Sequence, residues 1–109
     1  MANHIKYPRT PHFQWSNPTK DDRIIASLDG FIGEDIVANL KLDGENSNLA
    51  RDRFYARSLE PATGEDRAQV KAIWGRIAHE IPEGWRICGE NLFAKHSIHY
   101  HHLKAWFQV

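Results

Sequence analysis

From Asp66 to Glu80 the apolar positions Val70, Ile73, Trp74 and Ile77, with Ile81 just beyond, recur at three- and four-residue steps. That spacing predicts an amphipathic helix with one buried face, ended by Pro82 and Gly84. Elsewhere the pattern changes to short runs rich in β-branched and aromatic residues. "DIVANLKL", Asp35 to Leu42, predicts a buried strand that delivers Lys41 at its end. "SNLAR" and "FYARS" flank Asp52 and Arg53 at a spacing that suits a tight hairpin, although no glycine marks the turn. "EPATGED" interrupts the pattern ahead of the helix. After the helix, "WRICGENLFA" reads as a strand entering a loop and "KAWFQV" as a second, short strand. The opening, with Pro8, Pro11 and Pro18, reads as extended chain and turns. No repeat or low-complexity tract is visible. The predicted class is α+β, with antiparallel strands and one main amphipathic helix.

Composition narrows the possibilities. A chain of 109 residues has room for one domain with a modest core. Fourteen basic residues balance fourteen acidic ones, so any hold on a polyanion must come from a local cluster and not from a general field. Cys88 is the single cysteine and has no internal disulfide partner. Its apolar surroundings predict a buried, reduced thiol and a cytoplasmic setting. No leader, lipidation box or membrane-length apolar run is present, so the expectation is a soluble protein without a membrane role.

Candidate chemistry centres on "KLDGEN", Lys41 to Asn46. The plain reading is a strand that turns at Asp43-Gly44. The alternative makes Lys41 a nucleophile. An amine attacks phosphorus only when neutral, and an unperturbed lysine titrates at about 10.4, so such a lysine needs cationic neighbours or a metal. Asp43 alone acts in the opposite direction. Gly44 would let a phosphate approach the backbone closely. The histidines His96, His99, His101 and His102 are of the commonest metal-ligand type, but their spacing fits no standard zinc pattern and no second cysteine joins them. They read as a loop facing phosphate or solvent, and the expected number of protein metal ligands is none.

"KLDGEN" resembles the lysine-bearing motif of the covalent nucleotidyltransferases, the superfamily of ATP-dependent RNA and DNA ligases and capping enzymes. Ending in Asn46, it is most similar to the RNA ligase branch. "FYARS" resembles the next motif, "ICGENLFAKHSIHY" the glutamate-centred one, and "AWFQV" the aromatic strand that follows. "IKYPRTPH" resembles the start of bacterial and phage members of the ATP-dependent RNA ligase family.

The resemblance implies that Lys41 attacks the α-phosphate of ATP to form a lysyl-AMP adduct, with Mg2+ required. It implies that Asn46 organises the metal and its waters, and that Arg57 reaches a nucleotide or RNA phosphate. Glu90 would bind the ribose hydroxyls, and Phe107 would stack on adenine. These roles suit the residue types: a carboxylate takes two hydroxyl donors, a guanidinium forks onto phosphate oxygens, and an aromatic face holds a base. Asp43 would position the motif. AMP would then pass to an RNA 5′-phosphate, and a 3′-hydroxyl would displace it, so the implied partners are RNA ends or a nicked RNA duplex.

Family members continue to a further glutamate motif and a K-x-K motif. The resemblance therefore implies that residues 1–109 are the N-terminal portion of a nucleotidyltransferase (adenylation) domain, with little activity alone. Two alternatives stand beside the ligase reading: a non-catalytic nucleotide- or RNA-binding remnant of the same fold, and a DNA ligase or capping relative. An open edge at "KAWFQV" predicts self-association.

Overall fold

A computed structural model of the chain describes residues 4–60, 64–94 and 98–109. Two compact units divide it: residues 8–41 form one, and residues 1–7 with 42–109 form the other. The second carries the sheet and the helix. Its strands are β1 (Glu45–Ala50), β2 (Phe54–Ala56), β3 (Arg86–Asn91) and β4 (Phe107–Gln108), and its helix α1 spans Ala68–Ile77. All neighbouring pairs are antiparallel, in the order β2-β1-β3-β4, with β2 and β4 at the edges.

Each element follows from local chemistry. The hairpin between β1 and β2 closes where Ala50 N–H donates to the Arg53 carbonyl at 2.8 Å, so Arg51 and Asp52 form the tip, one residue earlier than the pattern predicts. A 3-10 turn at Glu65–Arg67 precedes α1, and its acidic residues suit the positive end of a helix. A second 3-10 turn, Ala78–Glu80, follows α1. Ile81 then adopts an extended conformation, as a residue before proline is driven to do. Gly84, with φ of 82°, allows the chain to reverse into β3.

The helix covers one face of the sheet. Leu49, Phe54, Val70 and Ile81 are buried together, with Trp74, Ile77, Ile87 and Phe107 packed against them. The predicted stripe is therefore the face that packs, and Trp74 adds a hydrogen bond from its indole N–H to the Ala50 carbonyl at 2.6 Å.

Within residues 8–41 the regular structure is slight. One parallel bridge pairs His12 with Ile24, and a 3-10 turn spans Asp29–Phe31. The predicted strand over 35–42 is not formed. That segment is irregular, and exposed from Asp35 to Lys41, because no described residues pair with it and strand propensity has no value without a partner.

Candidate nucleotide-binding face

In a strand, successive side chains point to opposite faces, and this alternation sorts the motif residues. Glu45, Ser47 and Leu49 face the helix, whereas Asn46, Asn48 and Ala50 face away from it. Their partners in β3 follow suit: Asn46 lies opposite Glu90, Asn48 opposite Cys88, and Ala50 opposite Arg86. Directly opposed residues have Cβ atoms about 5 Å apart. Asn46 and Glu90 are thus neighbours on one face.

The residues beside them anchor that end of the sheet. Glu45 receives a two-pronged bond from Arg67, Nε to Oε1 at 2.7 Å and the terminal nitrogen to Oε2 at 2.6 Å. The carboxylate holds the guanidinium proton more tightly than usual, through that hydrogen bond first and through charge second. Asn91 donates from Nδ2 to the Asp66 carbonyl at 2.9 Å. Both ties run to the turn that opens the helix. In each strand one residue grips the helix and its neighbour, Asn46 or Glu90, faces the other way. One oxygen of Glu90 is shielded from solvent.

The predicted turn at Asp43-Gly44 is only a bend at Gly44 leading into β1, and Asp43 is held there by two bonds to one segment. Asp43 N–H donates to the Tyr100 hydroxyl at 2.6 Å, and its Oδ2 accepts from Ile98 N–H at 3.0 Å. Asp43 thereby ties the motif to residues 98–100. A Cβ on Gly44 would stand 2.5 Å from the Asn91 carbonyl oxygen and 2.7 Å from a Leu92 methyl. In this structure it is the end of β3 that needs Gly44 to be glycine.

Lys41 is exposed and falls at the end of the 8–41 unit, in irregular chain and not at the end of a strand. Arg57 is exposed in the turn that follows β2, where Leu59 N–H donates to the Ala56 carbonyl at 3.0 Å. Because Ala56 pairs with Ser47, Arg57 leaves the sheet beside the Asn46 end of β1. Phe107 is not brought to the face of Asn46 and Glu90. It pairs with Asn91, packs into the core, and lies where a Cβ on Gly89 would be, 2.7 Å from its ring. A core role accounts for its position.

Residues given no role by the motifs complete the face. Asn48 is wholly buried, and it links Asn46, Cys88 and the Tyr55 carbonyl by hydrogen bonds. Cys88 is a free, half-buried thiol whose burial raises its pKa, with Arg86 opposing the shift. At the far end, Arg86 donates to the Tyr55 hydroxyl at 3.2 Å and to the Ile5 carbonyl. A cavity of about 400 Å³ opens there among His4, Ile5, Ala50, Tyr55, Trp85 and Arg86. Its size is that of a small-molecule pocket, and His4 sits 3.3 Å from Asp52 at its wall. Nothing in the sequence marks this buried network, since Asn48 follows Asn46 and Ser47 in a polar run.

Among the described residues no group of three or more His, Cys, Asp or Glu side chains could hold a metal ion. His99 and His101 meet edge to face at 4.6 Å, and His96 lies outside the described residues. No described helix is long and apolar enough to cross a membrane.

The described fold is an α+β unit with a polar face away from its helix, the face on which the two motif residues Asn46 and Glu90 meet. The family model for RNA ligase matches residues 34–109, which include β1 to β4 and the lysine motif. The chain belongs to the RNA ligase family. No curated protein and no solved structure shows a significant match.

Proposed function

We propose that the chain takes part in ATP-dependent RNA ligation through a lysyl-AMP intermediate, and that its sheet forms part of a nucleotidyltransferase domain. The observation that carries this reading is the pairing of Asn46 with Glu90 on one face of β1 and β3, in a chain of the RNA ligase family. Glu90 would accept hydrogen bonds from the ribose hydroxyls, and Arg57 would fork onto a phosphate. Neutral Lys41 would attack the α-phosphorus. The Nζ–P bond forms as the bond to pyrophosphate breaks, and the amine gives up a proton. AMP would next move to an RNA 5′-phosphate and leave when a 3′-hydroxyl closes the strand. Magnesium, bound with the phosphates, supplies charge neutralisation. Phe107 would reach a base only by leaving the core.

The test is covalent labelling with ATP carrying a labelled α-phosphate and with magnesium, applied to residues 1–109 joined to the family's further glutamate and K-x-K motifs; residues 1–109 alone should label little. The adduct should be acid-labile, alkali-stable and discharged by pyrophosphate. Lys41→Ala and Lys41→Arg should both abolish it, since a guanidinium keeps its charge. A protein that binds ATP but never acquires the label would instead be a nucleotide-binding module. The pre-formed register of Asn46 and Glu90, which does not depend on Lys41, favours that second reading over an inert scaffold. Among the described residues β4 is an edge strand, which supports pairing with a second copy, and a strict monomer at high concentration in light scattering would exclude it.

A further inference from the structure

The side chains of Asn46, Asn48 and Cys88 form a directed chain of hydrogen bonds. Asn48 Nδ2 lies 3.4 Å from the Tyr55 carbonyl oxygen and 2.9 Å from Asn46 Oδ1, and Cys88 Sγ lies 3.2 Å from Asn48 Oδ1. A backbone carbonyl only accepts, so the Asn48 atom that faces it must be the nitrogen. Turning Asn48 over would set its oxygen against that carbonyl. The same nitrogen faces Asn46, so the near atom of Asn46 must be its oxygen. Turning Asn46 over would oppose two donors. The thiol, kept protonated by burial, completes the chain by donating to Asn48. The Asn46 amide is therefore fixed with its oxygen turned inward, and its Nδ2 has no partner among the described residues.

We infer that Asn46 serves the nucleotide as a donor of amide N–H groups to phosphate oxygens, held in that orientation by the buried Asn48, and not as an oxygen ligand to the metal. This rests on the nucleotide-binding reading above and specifies what one of its residues does. With its oxygen turned inward onto the Asn48 nitrogen, the Asn46 amide offers its two N–H groups on the other side, and these suit an anion better than a cation. Asn48 is a positioning residue, since it reaches the nucleotide only through Asn46.

Two substitutions test the inference. In Asn46→Asp the carboxylate still accepts from Asn48, so the internal bond survives while the outward donors are lost. ATP affinity should fall at least tenfold, both in EDTA and with magnesium. Equal or tighter binding of magnesium-ATP by N46D would overturn the donor role. In Asn48→Asp the new carboxylate can only accept, so Asn46 must turn its nitrogen inward. Its side-chain amide signals in NMR should shift, and ATP affinity should again fall about tenfold. If N48D does not fold, N46D alone decides. Wild-type protein that fails to bind ATP removes the reading and the inference together. Wild-type binding left undiminished in N46D removes only the inference.

Discussion

The unit that holds the sheet and the stretch from Pro8 to Lys41 use similar residues to different ends. In the former, Leu49, Phe54 and Val70 vanish from solvent because a strand, its neighbour and a helix supply apolar surface from three directions. In the latter, Ile32, Ile36, Val37 and Leu40 are exposed, Val37 at 86% and Leu40 at 87%. Hydrophobicity is common to both. What separates them is pairing: β1 has a strand on either side, while residues 35–42 have none among those described. Local order in 8–41 comes instead from short polar turns, such as Thr19, whose amide and hydroxyl both bond Asp22. Those bonds hold the Asp22 carboxyl below its usual range, the backbone donor contributing most. The lesson is that a β-branched run becomes a strand only where a partner accepts its backbone groups.

The largest effect should come from setting the two regions side by side in urea denaturation. Leu49→Ala empties a fully buried site and should cost about 2 to 5 kcal/mol. Leu40→Ala should change stability by no more than about 0.5 kcal/mol. A comparable loss from Leu40→Ala would show that the exposed stretch carries hidden packing and would dissolve the contrast.

Gly44→Ala comes next. The added methyl would meet the Asn91 carbonyl at 2.5 Å, and the end of β3 must shift to admit it, at a cost of roughly 1 to 3 kcal/mol. Because Asn91 neighbours Glu90, the proposed ATP binding should weaken along with stability. Unchanged stability would mean that the motif glycine is kept for ligand approach alone.

Arg67→Lys keeps the charge but loses the two-pronged geometry with Glu45. A loss of about 1 kcal/mol is expected, smaller at high salt because both side chains are partly exposed. A larger loss at high salt would contradict the ionic account.

The smallest effect is a pH dependence. Burial raises the folded-state pKa of Cys88 above its reference of 9.0, so the folded state keeps a proton that the unfolded chain releases first. The contribution is whole below about pH 9 and is lost as pH rises through the folded value. Thermal melts should show a decline above pH 9 that Cys88→Ala flattens. An unchanged slope in that variant would assign the decline to other groups.

Much of this was legible along the chain. The spacing of Val70, Trp74 and Ile77 announces α1 and its packed face, because a helix is built from contacts a few residues apart. "FYARS" and "RICGEN" announce their strands for a similar reason. The residue types of "KLDGEN" and "GEN" mark Asn46 and Glu90 as candidates. Phe107 shows where such reading stops, since a strand residue's face depends on its register with a neighbour, and a slip of one position exchanges the faces. Pairing with Asn91 turns Phe107 onto Gly89 and into the core. Asn48 was equally hidden, because its burial depends on β2 and β3 closing around it.

By itself, then, the sequence determined the elements that depend on near neighbours: the helix, the hairpin, the stop before Pro82 and the motif residue types that mark the RNA ligase family. Tertiary structure alone decided which of those residues meet. Asn46 reaches Glu90, Asp43 reaches Tyr100 and Arg67 reaches Glu45 across long stretches of chain. The physical reason is that backbone propensity acts over a few residues, whereas register and close approach are settled by hydrogen bonds and packing between segments that the sequence holds far apart.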